Sequence, residues 1–177
     1  MSKIKIVILV ILGLVAIMAA GAGMGAYDRT LVSLTVPLAV GVGGAAVSLP
    51  LVNVMWRRLT CESSLWINGG AHVLFFVTLF SSSFLLLNLV TDPSTAVKEE
   101  VEVVKKYQKQ HQSRGGGRHR HHVRREWTTY HVTIKLADGR EKTESVNIQR
   151  YNRIRSGSRM KITLEKGLLG PMVITRF

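Results

Sequence analysis

The chain has 177 residues, a formal net charge of +13, 46% hydrophobic residues and a single cysteine, Cys61. One cysteine excludes an intrachain disulfide and any cysteine-based metal site. The length suits one ordinary domain, or a membrane part with a small domain, and the charge points to lipid headgroups or another polyanion as neighbour.

The composition divides the chain in two. Residues 1–94 hold the long apolar runs, with Lys3, Lys5, Arg29, Arg57 and Arg58 set against Asp28, Glu62 and Asp92. Nineteen of the 24 Lys/Arg and eight of the 11 Asp/Glu follow, so residues 95–177 carry +11 of the +13. A transmembrane region over 1–94 and a basic β domain over 95–177 are the expectation.

The first apolar run, about 4–25, follows the basic start Lys3-Ile4-Lys5. Ala19-Ala20-Gly21-Ala22 would suit a signal-peptide exit, but the run is long for a signal core and more spans follow. An uncleaved transmembrane helix is expected. A second span, about 31–55, is uncharged, and its Pro37 and Pro50 are tolerable where neighbouring helices re-satisfy freed carbonyls. Small residues four apart (Gly21 and Gly25, Ala39 and Gly43, Gly41 and Ala45, Gly44 and Ser48) predict close packing of spans one and two, with homodimerisation as the alternative. Trp56 and Trp66 flank the next loop as interfacial anchors. A third span, about 66–90, closes at Asp92-Pro93, because proline disfavours helical geometry in the residue before it. Lys3, Lys5, Arg57 and Arg58 fall on one side of three crossings, which predicts a cytoplasmic N-terminus and an extracytoplasmic C-terminal domain.

From 96 to 112 the pattern admits a helix, but Val101 and Val103 alternating with charges favour one arm of a long, irregular β-hairpin. Its basic tip over 111–125 contains Gly115-Gly116-Gly117 and predicts flexibility. Trp127–Leu136 returns as a strand with Tyr130, Val132, Ile134 and Leu136 on one face. Asp138-Gly139 then predicts a type I′ hairpin turn. Lys142–Ile148 is the next strand, with Val146 and Ile148 facing in, and 149–155 makes a helical turn broken by Ser156-Gly157-Ser158. Arg159–Glu165 places Met160, Ile162 and Leu164 on one face, and Met172–Thr175 is the last strand. Five short strands without a long helix predict a small all-β domain, an SH3-like or OB-like barrel.

The order Tyr-x-Val-x-Ile, Asp-Gly-Arg, Ile-Arg-Ser-Gly-Ser-Arg-Met, Lys-Gly-Leu-Leu-Gly and a final Val-Ile resembles a known arrangement. It looks like the small β domains attached to membrane helices in uncharacterised bacterial inner-membrane proteins, and more distantly like the NfeD-type proteins. The resemblance implies an inner (plasma) membrane context and a β tail, and carries over no catalytic residue.

Two groups of residues bear on function. Arg114, Arg118, Arg120, Arg124 and Arg125 are candidates for gripping anionic surfaces, since guanidinium holds phosphate bidentately. His119, His121 and His122, with His111 and His131 nearby, are the candidate metal ligands, although the arginines among them disfavour a dication. In the third span, Asn68, His72 and Ser83 share a helical face, and an intramembrane ionisable residue is a functional candidate; a neutral histidine bonded to a neighbouring helix is the plainer reading. Nucleic acid is not expected, because only Tyr107, Trp127, Tyr130 and Tyr151 could form a stacking platform. No phosphate loop, nucleophile–base pairing or cofactor motif stands out. The expectation is a non-enzymatic, membrane-anchored accessory or structural protein that meets membrane lipid, a protein partner or its own copy. A metal-handling membrane protein and a subunit of a small-solute transport complex are the alternatives.

Overall fold

The computed structural model describes residues 3–61, 64–112 and 126–176. Helices α1 (Lys3–Arg29) and α2 (Thr35–Val47) precede a π-helical turn (Val52–Trp56), α3 (Arg57–Thr60) and α4 (Leu65–Asn88). Strands β1 (Thr91–Gln112), β2 (Glu126–Lys135) and β3 (Glu141–Val146), helix α5 (Ile148–Arg153), and strands β4 (Arg159–Gly167) and β5 (Met172–Arg176) follow. Two compact units result: Met1–Val97 with Leu164–Thr175, and Lys98–Thr163 with Arg176–Phe177. The end of β4 and most of β5 group with the helices.

In the helical unit, α1 and α4 are long and apolar enough to cross a membrane. The expected second span over 31–55 is not one helix. It breaks at Ser48–Pro50, leaving α2 with 13 residues. Pro50 has no N–H for Ala46 O, and Leu49 N–H turns to that carbonyl instead, at 3.2 Å. Further i→i−3 bonds, Leu51 N to Ser48 O and Val52 N to Leu49 O, carry the chain past the proline.

The central helix is α4, which packs against both α1 and α2; the expected pairing of spans one and two is not the main contact. Of the small residues, Gly41 and Ala45 are buried, and a Cβ on Gly41 would collide with Ser81 Oγ and the Val77 carbonyl. Gly44 lies tight against the Phe80 ring, and Gly23 against Ser82. Gly21, Gly25 and Gly43 face open space. Ser81 Oγ–H donates to Pro37 O at 2.7 Å, tying α4 to the start of α2.

The two long helices finish at the same end of this unit. Beyond α1, Thr30 bridges Val173 and Leu31 N–H donates to Met172 O at 2.8 Å. Beyond α4, Leu168 N–H donates to Val90 O, also at 2.8 Å. At the opposite end, Lys5 Nζ lies 3.2 Å from Cys61 Sγ.

The five strands form an antiparallel sheet of order β3-β2-β1-β4-β5. The stretch 96–112 is strand, the arm of a hairpin: in the second unit β1 pairs with β2 from Glu102↔Lys135 to Gln112↔Glu126. Val101, Val103, Val132, Ile134, Leu136 and Ile162 are buried there. The register slips between Val103 and Lys105. One inserted residue exchanges the faces of a strand, so Lys106 lies opposite Val132 while Tyr107 turns outward opposite His131. Lys106 Nζ donates to Tyr151 O (3.2 Å) and Ile154 O (3.0 Å), and lies 4.5 Å from the Tyr151 ring centroid. A cation is favoured there, at the C-terminal end of α5.

The β2–β3 connection corrects the expected type I′ turn. Gly139 alone has positive φ (+82°), and Gly139 N–H closes on Leu136 O at 2.9 Å. Three loop residues, Ala137–Gly139, separate the Leu136–Arg140 pair, so a single left-handed glycine suffices. The expected strand over 142–148 also stops early: Asn147 Oδ1 accepts Arg150 N–H at 2.8 Å and caps α5, leaving Ile148 exposed.

Candidate functional site

Two sets of side chains answer to the functional expectations, one in each unit. In the helical unit, the break before Pro50 withdraws Leu49 N–H from Ala45 O, its regular i−4 partner. Ala45 O receives Ser48 Oγ–H at 3.0 Å and lies 3.3 Å from His72 Nε2. Trp56 Nε1–H donates to His72 Nδ1 at 3.1 Å, and Ser48 Oγ lies 3.0 Å from His72 Nε2. An indole N–H only donates, so Nδ1 is the unprotonated nitrogen and His72 is a neutral Nε2–H tautomer. Its ring is fully buried and tilts against Phe76 with centroids 4.4 Å apart.

One helical turn earlier, buried Asn68 Oδ1 accepts Thr60 Oγ1–H at 2.8 Å. The structure therefore brings Asn68 and His72 to the same protein-facing side of α4. Asn68 bonds Thr60 of α3, and His72 bonds Trp56 and the end of α2. Ser82, facing Gly23, is buried in place of the expected Ser83. Trp56 is not an interfacial anchor: it is enclosed, with its ring edge on Phe75 at 5.9 Å, whereas Trp66 is 90% exposed. In this arrangement the ring satisfies a carbonyl that the helix break would otherwise orphan.

In the second unit, the expected anion-binding residues Arg114, Arg118, Arg120, Arg124 and Arg125 lie outside the described residues. So do the expected metal ligands His119, His121 and His122. The β1–β2 hairpin presents a face that alternation alone did not reveal. After the register slip, Lys105, Tyr107, Lys109 and His111 of β1 share one face with Trp127, Thr129, His131 and Thr133 of β2. His111 lies flat on Trp127, with centroids 5.3 Å apart and planes within 7°. His131 stacks on Tyr107 at 5.1 Å. Thr129 Oγ1 sits between them, 3.0 Å from each histidine Nε2. Trp127 and Tyr107 remain 49% and 38% exposed, and Lys105 Nζ lies 5.7 Å from the Tyr107 centroid.

This face combines amphipathic rings with ammonium groups, a chemistry suited to phosphate-bearing interfaces. Among the described residues, no group of three or more His, Cys, Asp or Glu could hold a metal ion.

Near the same hairpin, the Arg140 side chain and N–H hold the Asp138 carboxyl below the usual carboxylate range. Beyond α4, Ser94 does the same for Asp92 through its hydroxyl and N–H. The first carboxylate serves the β2–β3 turn, and the second sits at the start of β1. No protein-family model, no curated protein and no solved structure matches this chain.

Proposed function

We propose that the chain is a membrane-anchored, non-enzymatic accessory protein whose basic β region docks onto an anionic, phosphate-bearing surface. The observation that carries this reading is the outward face of the β1–β2 hairpin, where Lys105 and Lys109 flank exposed Tyr107 and Trp127. The basic run Arg114–Arg125 follows directly in sequence. Lysine stems and aromatic rings bury apolar surface at an interface while their polar ends meet headgroups.

The membrane part is proposed to cross three times. In support, α1 and α4 are each long enough to span and finish at the same end of the unit. The chain from Thr35 to Thr60 must then travel back between them. It would do so as a broken second leg whose freed carbonyls are met by Ser48 and His72. With Lys3, Lys5, Arg57 and Arg58 at the opposite end, the positive-inside rule puts that end in the cytoplasm and the β region outside, in a bacterial inner membrane.

Full-length protein in neutral nanodiscs should float with phosphatidylglycerol vesicles at low salt and release as the Debye length shrinks from about 30 to 8 Å. Replacing Arg114, Arg118, Arg120, Arg124 and Arg125 by Gln should abolish the binding, while His119, His121 and His122 changed to Gln should not. Micromolar Zn²⁺ binding that is lost in the histidine variant, with no vesicle binding, would favour metal handling instead. Cys61 in intact cells should resist an impermeant maleimide; ready labelling would reverse the orientation.

A further inference from the structure

The turn between β4 and β5, Gly167-Leu168-Leu169-Gly170-Pro171, is tied to the end of α4 more tightly than a surface loop requires. The fully buried Asn88 spends its side chain on it: Nδ2–H donates to Pro171 O at 3.1 Å and Oδ1 accepts Leu169 N–H at 3.2 Å. Leu168 N–H donates to Val90 O, and the turn closes on itself through Gly167 N–H to Pro171 O and Gly170 N–H to Gly167 O. A Cβ on Gly167 would collide with Asn88, and Gly170 has a φ of +109°, so neither glycine is replaceable at no cost. Immediately after the turn, Met172 and Val173 are held by Leu31 and Thr30 at the end of α1.

This rigid tip displays apolar side chains to the outside. Leu168 is 64% exposed, Leu169 is 43% exposed, and the neighbouring Val90 and Leu87 are exposed as well. Exposed Lys166 precedes the tip in sequence, and exposed Arg29 ends α1 beside Thr30. Single exposed leucines need no explanation, but a contiguous apolar group does. Here it continues the exposed apolar surface of α4 at the level where that helix ends, with cations in the adjoining sequence.

We propose that the Leu168–Leu169 turn inserts into the bilayer, with its leucines among the upper acyl chains and Lys166 and Arg29 at the phosphate level. The proposal rests on the membrane-spanning reading above. A wedge of this kind would pin the start of the β region to the membrane independently of the hairpin charges, and salt would not release it.

The test uses full-length protein with Cys61→Ser, reconstituted in liposomes and labelled with an environment-sensitive fluorophore at Leu168→Cys or Leu169→Cys. Ile17→Cys, exposed near the middle of α1, reports spanning, and Lys161→Cys, exposed on β4, reports water. Emission from positions 168 and 169 is expected to shift to the blue, to lose most of its intensity with shallow nitroxide-bearing lipids, and to resist iodide. Quenching by iodide, as at position 161, would overturn the insertion. Shielding from both quenchers would also overturn it, because a second copy or a protein partner would then cover the turn. If position 17 escapes lipids that carry the nitroxide deep in the acyl chain, the spanning reading fails and the inference with it; if only 168 and 169 escape the shallow nitroxides, the inference alone fails.

Discussion

The helical unit and the β1–β2 hairpin both place histidines on hydrogen-bonding partners, and their relations to solvent are opposite. His72 is enclosed, with Trp56 on one nitrogen and Ala45 O and Ser48 at the other. His111 and His131 lie flat against Trp127 and Tyr107 and share the Thr129 hydroxyl at the surface. Burying an imidazole is tolerable only when its polar edges are paired. The kink at Pro50 supplies such a partner by releasing a carbonyl, so break and histidine stabilise each other. At the surface the partners are optional, and what the stacking does is hold the aromatic rings in place. The first histidine joins two helical segments; the other two hold exposed rings on the outward face of the hairpin.

The comparison breaks most visibly at the β core. Ile134→Ala removes a fully buried side chain and is expected to cost about 2–5 kcal/mol, a large share of a small unit's stability. Hydrogen exchange should then quicken throughout residues 98–163 while α1 and α4 stay protected. Equal loosening of the helices would mean that the two units unfold as one.

Glycine replacements ask the matching question of the helices. Gly41→Val drives a side chain into the α4 backbone and should cost about 1–3 kcal/mol through overpacking. Gly43→Val meets open space and should leave thermal stability in detergent unchanged. If Gly43→Val instead dissociates a cross-linked dimer, the outward small residues serve self-association.

A smaller effect separates the histidines. His72→Leu leaves Trp56 Nε1–H without its acceptor and Ala45 O without its ring donor, which is expected to cost about 1–2 kcal/mol. Trp56 fluorescence should change with it. His131→Gln keeps a polar surface side chain and should leave stability near the wild-type value while weakening vesicle binding.

The smallest expected change is at Asp138. Its carboxyl is held low by Arg140, so its contribution is present above the ordinary aspartate value of about 3.9 and is lost as pH falls through the lowered folded value. Exchange protection at the Leu136–Arg140 turn should fall over that acid window in the wild-type protein. It should stay flat with pH in Asp138→Asn.

Much of this architecture is legible from local pattern. The apolar lengths of α1 and α4, the alternation that buries Val132 with Ile134 and Ile162 with Leu164, and the position of the Asp138-Gly139 turn are properties of neighbouring residues. They need only a period of 3.6 or 2. The same reading placed Asn68 and His72 on one face correctly, since four residues make about one helical turn.

What tertiary structure decided are the choices that depend on a distant partner. Alternation carried through β1 would set Tyr107 on the Val103 face; pairing with β2 inserts the bulge that turns Tyr107 outward and brings Lys106 to the end of α5. Four-residue spacing selected Gly21 with Gly25 as readily as Gly41 with Ala45, and only contact with α4 separates used glycines from idle ones. Trp56 had the composition of an interfacial anchor until His72, sixteen positions away, claimed its N–H. Asn88, polar at the end of an apolar helix, had no visible purpose before the Leu168–Leu169 turn closed on it. Periodicity assigns a residue to a face of its own element. Which face is covered, and by what, is settled where chain segments far apart in sequence meet and their polar groups must be paired.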